Sequence, residues 1–236
     1  MRGTRHSARF DTAWIVIPAF NEATVISDVV ADVRSVFDNV VCVDDGSRDD
    51  TAEQAWRAGA HVVRHPVNLG QGAAIQTGVE YARSRPGATV FATFDADGQH
   101  RVADVVRMID RLRSEDLDIV VGTRFADGTP NNMPLLRRLV FPMIAKVSPT
   151  SRKLGLTDAH NGLRVFDKTV ADGLNLTMSG MAHASEIVAL IVENGWRVAE
   201  EPVEILYTDY SMSKGQPLVN GVNIVFDGLL RKRMRR

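Results

Sequence analysis

The residues with the plainest chemical potential are Asp95 and Asp97, in the run Thr93-Phe94-Asp95-Ala96-Asp97-Gly98-Gln99-His100. They follow at once on an apolar run, Thr89 to Phe94, of strand composition. In an extended chain residues i and i+2 face the same way, so the two carboxylates converge on one point just past a strand's carboxyl end. That is where ligands sit in open α/β sheets. Gly98 permits a sharp turn, and Gln99 could add a third oxygen on the same side. Hard oxygen donors at this spacing suit Mg²⁺ or Mn²⁺, which in turn hold a diphosphate. A plainer explanation is a strand-to-helix turn with an acidic cap, and the pair alone does not separate the two.

The elements around this turn follow from hydrophobic periodicity. Strands are predicted at Trp14–Ile17, ended by Pro18, and at Val40–Val43, Ala60–Arg64, Thr89–Phe94 and Leu117–Val121. Between them, helical spacing of apolar residues predicts helices over Ala23–Phe37, Asp49–Ala58, Gly70–Arg83 and Arg101–Arg113. This alternation predicts an α/β fold with a mostly parallel, doubly wound sheet covered on both faces. The second half is less regular. It offers a basic, apolar helix at Leu135–Val147, a strand at Leu163–Phe166 and a helix at Met181–Glu193. Trp196–Val198 and Val203–Tyr207 are strand-like, and an amphipathic helix spans Pro217–Leu230.

Three further turns follow predicted strands: Pro18-Ala19-Phe20-Asn21-Glu22, Asp44-Asp45-Gly46-Ser47, and His65 to Gly72. In a parallel sheet they share one rim with the Asp95 turn, so polar groups distant in sequence converge. The acids after the second strand could accept hydrogen bonds from a base or ribose, and Gly70 and Gly72 would let backbone approach a ligand closely. Each also has an ordinary explanation. Asn21 could cap a helix, Asp44 to Ser47 has common turn composition, and the glycine pair lacks the third glycine of G-x-G-x-x-G. Four such turns in one register make coincidence a poor account.

Together, Ile17 to Glu22, Val43 to Ser47, Asn68-Leu69-Gly70-Gln71-Gly72, Asp95 to His100 and Gly122-Thr123-Arg124 resemble the family 2 glycosyltransferases of GT-A fold. Within these the chain resembles the dolichyl/polyprenyl-phosphate sugar synthases. Through Asn161-Gly162-Leu163-Arg164-Val165-Phe166 and Tyr207 to Pro217 it is similar to the actinobacterial polyprenyl-phospho-N-acetylgalactosaminyl synthases. The resemblance implies that Pro18, Ala19, Asn21, Glu22, Asp44 and Asp45 bind the nucleotide, with Gly70, Gly72, Asp95 and Ala96 lining the same pocket. It implies Asp95, Asp97 and Gln99 as metal ligands, and a catalytic set of Asp97, Arg124 and Lys214, with Arg124 meeting the acceptor phosphate. One departure is Thr208, where the family has an arginine six residues before the lysine. His100 and His183 are expected to support the site or the core rather than ligate metal.

The implied reaction moves a sugar from a nucleoside diphosphate, UDP-N-acetylgalactosamine by the closer resemblance, to polyprenyl phosphate. A phosphate oxygen is already anionic at neutral pH and needs no strong base. What it needs is a cation on the departing diphosphate and cations to align two anions. Direct attack predicts inversion. Transfer to a saccharide or another lipid-linked acceptor would instead need a base, for which Asp158 and Glu186 are candidates. A non-catalytic membrane-surface scaffold of the same fold is the alternative outside enzymology.

The chain has 236 residues, 44% of them apolar, and a net charge of −1. That is enough for one sizeable core. Neither a secretory signal nor an uninterrupted run of about 20 apolar residues is found. The single cysteine, Cys42, lies in an apolar strand and reads as a buried thiol in a reducing compartment. Basic charge is uneven: 135–153 holds five cations and no acid, and 231–236 holds five more. With those ten set aside, 18 basic residues face 29 acidic ones. Such segments suit an anionic membrane surface, where each cation contributes roughly 1 kcal/mol. No nucleic-acid partner is expected. The chain divides into a disordered tail, 1–12, a GT-A catalytic domain, 13–210, with a basic interfacial helix at 135–153, and an amphipathic helix with a basic tail, 211–236. The placement expected is cytoplasmic, at the inner face of the plasma membrane. Packing on the catalytic domain, or a homo-oligomer contact, would equally occupy the last helix.

Overall fold

The computed structural model describes residues 10–125, 154–158, 161–178 and 182–206. The expected helices at Leu135–Val147 and Pro217–Leu230, residues 1–9, Lys214 and Thr208 lie outside the described residues. The strands are β1 (Ala13–Ala19), β2 (Asn39–Asp44), β3 (His61–Arg64), β4 (Val90–Thr93), β5 (Ile119–Thr123), β6 (Arg164–Asp167) and β7 (Val198–Pro202). Between and after them come α1 (Ile26–Arg34), α2 (Thr51–Arg57), α3 (Gln71–Arg83), α4 (Val102–Ser114), α5 (Lys168–Gly173) and α6 (Ala182–Asn194).

The seven strands of the described residues form one sheet in the order β3-β2-β1-β4-β6-β5-β7. Only β6 runs against the rest, pairing antiparallel with both β4 and β5. The doubly wound, mostly parallel sheet expected from the alternating pattern is therefore present. Its two faces are separately covered. Along β1, Ile15 and Ile17 join a cluster with Val30 and Val33 of α1 and Val105 and Ile109 of α4. Trp14 and Val16 point the other way, into a cluster with Ile75 and Val79 of α3, Val170 of α5 and Ile187 of α6. Period-2 side chains on a strand buried from both sides explain why β1 reads as an unbroken apolar run.

Three expectations need correction. The N-terminal tail is not structureless up to residue 12. Phe10 is buried and its ring lies 5.1 Å from that of Phe37, burial that contributes about 1.5–3 kcal/mol. Pro18 does not end β1, which runs on to Ala19. Val16 accepts the Phe94 N–H and Ala19 accepts the Asp45 N–H. Pro18 therefore turns its missing donor toward β4, past the point where that ladder stops. Finally, the two strand-like segments Trp196–Val198 and Val203–Tyr207 are replaced by one edge strand between them. β7 pairs with β5 from Ile119↔Val198 to Thr123↔Pro202. Its acids obscured it: Glu201 pairs with Arg111 of α4, and Glu200 accepts the N–H groups of Thr157 and Asp158.

Candidate active site

The rim formed by the carboxyl ends of β1, β2, β4 and β5 carries the residues of interest, and β4 delivers the acidic turn. Asp95 accepts a hydrogen bond from Gln71 Nε2 at 3.0 Å, and its Oδ2 lies 3.0 Å from His100 Nε2. Burial alone would raise its pKa. The hydrogen bond and charge of His100, with Arg164 and His183 nearby, hold it below the usual carboxylate range. His100 is itself buried, edge-on to Phe94, so it supports the turn as expected. Asp97 accepts the Gln99 N–H at 3.0 Å. Burial, reinforced by the charges of Asp95 and Glu22, pushes it up to about 6. Two carboxylates on one turn, the charge of one raising the pKa of the other, are a donor set that suits a hard divalent cation. Among the described residues no three His, Cys, Asp or Glu side chains converge as a metal cluster. The amide oxygen of Gln99 or the phosphates of a nucleotide would have to complete the shell.

Across β1, the turn after β2 is more self-contained than the sequence suggests. Asp44 is fully buried. It accepts the Ser47 N–H and pairs with Arg64, its register partner on β3, at 3.0 Å. Asp45 lies 2.7 Å from His65 Nδ1, and its carboxylate also accepts the N–H groups of Leu69 and Gly70. Its oxygens thus fasten the 65–70 loop. A cavity of about 330 Å³ opens at this end of the rim, lined by Gly46, Ser47, Arg64, His65 and Pro66. Asn21 does not cap α1, which begins after Val25 without a side-chain cap. With a positive φ of 55°, Asn21 instead crosses to the β2 turn, donating to Ser47 Oγ and accepting the Arg48 N–H. Glu22 donates its N–H to Thr51 Oγ1.

Gly72 is closely packed against protein. A Cβ there would stand 2.4 Å from the Met178 carbonyl and 2.9 Å from His183 Cβ. Glycine here allows close approach to the chain leading into α6. Pro18 and Ala19 end β1 beneath the rim, and Ala96 is buried inside the acidic turn.

On the other side of β4, Arg124 follows β5 and is gripped by Asp158. Its Nε and Nη2 donate to the two carboxylate oxygens at 2.6 and 2.8 Å, and its backbone N–H adds a third bond. Asp158 is thereby committed, as is Glu186, which accepts the N–H groups of Thr177 and Met178. Both carboxylates already accept hydrogen bonds where a general base would need an open oxygen. Sequence reasoning passed over what joins the two sides. Residues 161–164 enter the sheet between β4 and β5: Thr93 Oγ1 donates to the Gly162 carbonyl, and Gly122 N–H to the Leu163 carbonyl. Asn161 reaches Asp158, and Arg164 is 1% exposed. An arginine inside the apolar run Leu163 to Phe166 was the available signal, since a buried cation must be met by anions.

A parallel α/β rim with an acidic turn after its fourth strand invites comparison with sugar-nucleotide enzymes. The model for glycosyl transferase family 2 matches residues 14–174, from within β1 to just past the end of α5. The chain belongs to this family. Its relatives within the range of whole-length alignment include enzymes named for lipid phosphates. The UDP-N-acetylglucosamine–dolichyl-phosphate N-acetylglucosaminyltransferase of Methanococcus voltae is 29% identical, over 93% of this chain and 95% of that protein. The polyprenol monophosphomannose synthase of Mycolicibacterium smegmatis is 28% identical, over 89% of this chain and 82% of that protein. As a family 2 glycosyltransferase the chain has the GT-A fold. The solved glucosyl-3-phosphoglycerate synthase of Mycobacterium tuberculosis, in complex with Mn²⁺ and UDP-glucose, superposes with a TM-score of 0.70. The match is 18% identical and covers 94% of this chain and 79% of that one.

Proposed function

We propose that this glycosyltransferase moves a sugar, N-acetylgalactosamine from its UDP donor, onto polyprenyl phosphate at the cytoplasmic face of the membrane, with inversion. Asp95, Asp97 and Gln99 would hold Mg²⁺ or Mn²⁺, which as a Lewis acid stabilises the departing diphosphate. Asn21, Glu22 and the Asp44–Asp45 turn form the nucleotide's side of the rim, with Asp45 acting through the loop it fastens. Arg124 receives the acceptor phosphate and Lys214 assists it. The basic segments 135–153 and 231–236 bring the protein to an anionic surface.

The observation that supports this reading best is the shared rim. The end of β4 that leads into the acidic turn, and β5 just before Arg124, are both fastened to one short segment, 161–164, and Asn161 of that segment reaches Arg124's partner Asp158. A cation site and a phosphate-binding arginine on the two strands that flank this segment suit an in-line reaction between two anions. Acceptors that must lose a proton fit less well, because Asp158 and Glu186 are already engaged.

The deciding experiment incubates the protein with polyprenyl phosphate, Mn²⁺ or Mg²⁺, and a panel of labelled UDP- and GDP-sugars. Label is expected in the lipid phase with UDP-N-acetylgalactosamine. Lipid labelling from another donor would replace the sugar. Labelling only of an added saccharide would overturn the acceptor.

A further inference from the structure

One flank of α4 is charged at helical spacing: Arg101, Asp104, Arg107 and Arg111. Residues three and four apart share a helix face, and here each takes hold of the chain that passes along it. Arg111 Nη1 donates to the Glu200 carbonyl at 2.6 Å, and Arg107 Nη2 to that of Pro202 at 2.9 Å. Asp104, 1% exposed, accepts the Glu204 N–H at 3.0 Å and pairs with Arg107 at 2.8 Å. Arg101 pairs with the Glu204 carboxylate. The chain leaving β7 thus runs down α4 toward the helix N-terminus, pinned at successive turns. Val203 N–H reaches the Thr123 carbonyl, one residue before Arg124, and Leu206 N–H donates to the Gln99 carbonyl at 2.9 Å. Residues 203–206 therefore form a strap from the end of β5 to the acidic turn.

The strap meets that turn where other support is thin. Gly98, just before Gln99, has a φ of 74°, and the nearest atom to a Cβ there, Val29 Cγ2, would stand 3.7 Å away. The Gln99 N–H is given to Asp97 and its carbonyl to Leu206, so both of its backbone groups are committed. Leu206 is 41% exposed, so burial of its side chain does little to hold the strap in place. We propose that the strap, pinned by Asp104, is a positioning device for the acidic turn: it fixes the Gln99 backbone and so keeps the Gln99 amide in register with Asp97 for a cation and its diphosphate. Asp104 and Leu206 are positioning residues, acting through the backbone of 204–206 and of Gln99 rather than on the ligand. The inference rests on the reading of Asp97 and Gln99 as cation ligands and adds what holds them.

The test compares UDP binding with and without Mn²⁺, by calorimetric titration into the full chain with no acceptor present. In the wild type Mn²⁺ should tighten UDP binding. Leu206→Pro deletes the N–H that reaches Gln99, and Asp104→Ala deletes the acceptor that pins Glu204. In each, the gain in affinity from Mn²⁺ should shrink about fivefold, as for the loss of one hydrogen bond. Metal-free UDP binding should change by less than about twofold. Leu206→Ala loses most of the same exposed side chain but keeps the N–H, and should keep the full gain. A full gain in Leu206→Pro overturns the proposal, as does a loss of the gain in Leu206→Ala. So does an equal weakening with and without Mn²⁺, the result a merely structural strap would give. Thermal melting checks the fold, and Leu206→Pro, at an exposed position, carries the test if Asp104→Ala does not fold. A wild type indifferent to Mn²⁺ overturns the metal reading and the proposal together, whereas a gain that the variants keep overturns the strap alone.

Discussion

Gly162 lies against the carboxylate of Asp95: a Cβ at position 162 would stand 2.2 Å from Oδ2 and 2.8 Å from Cγ. The backbone has little room to retreat, since the Gly162 carbonyl accepts Thr93 Oγ1 at 2.7 Å. Gly162→Ala must therefore move the carboxylate. We expect UDP–Mn²⁺ affinity to fall about tenfold, a loss of about 1.4 kcal/mol, in a calorimetric titration. Unchanged affinity would mean that the donor complex does not use Asp95.

The Arg124–Asp158 pair has a stability consequence separate from catalysis. Asp158 accepts three bonds from Arg124, and an amide would turn one donor toward the guanidinium. Asp158→Asn should lower unfolding free energy by about 1–3 kcal/mol, since it leaves buried groups unmatched. Urea unfolding monitored by tryptophan fluorescence measures this directly, and a shift under about 0.5 kcal/mol would show the pair to be expendable.

Asp45 makes a prediction about a loop. Asp45→Asn keeps the shape but cannot accept from His65, Leu69 and Gly70 together. The 65–70 segment should become sensitive to limited proteolysis, and UDP affinity should drop by about three- to tenfold. If cleavage within 65–70 does not accelerate, the fastening role assigned to Asp45 is wrong.

Cys42 supplies a pH dependence. Burial, with the nearby charge of Asp44, pushes its thiol from 9.0 up to about 12. The folded thiol stays neutral where the unfolded one ionises, so the unfolded state binds fewer protons above pH 9. Stability is thus unaffected by Cys42 below that point and falls between pH 9 and about 12, by about 1.4 kcal/mol per unit. Urea midpoints of wild type and Cys42→Ala between pH 8 and 10.5 should converge as pH rises. Parallel curves would remove the effect. The same burial predicts that Ellman's reagent reacts with the native thiol only after unfolding.

The legible parts of the sequence were those where one physical demand acted alone. β1, β2, β4 and β5 are buried on both faces and need only apolar residues, so composition found them. β7 escaped because Glu200 and Glu201 serve partners elsewhere, and a strand with occupied acids does not alternate. At the site, the acidic turn was readable from Asp95 and Asp97 because i and i+2 spacing is local. The packing contacts of Asp45 and Gly72 were not, since they lie distant in sequence: Asp45 with His65 to Gly70, Gly72 with Met178 and His183. Asp158 was weighed as a base because nothing near it in sequence reveals that Arg124 claims it.

The placement of β6 governs the order in which this protein can be completed. β4 and β5 are neighbours in sequence yet never touch as paired strands; the gap between them is filled by a segment that emerges some 40 residues after β5. Until residues 161–167 leave the ribosome, a nascent chain holds two strands with unsatisfied edges, the condition that invites association with other chains. The donor half of the rim is thus not a module that could be severed and kept. A fragment ending before residue 160 should expose those edges and aggregate, however complete its sugar-nucleotide motifs look on paper.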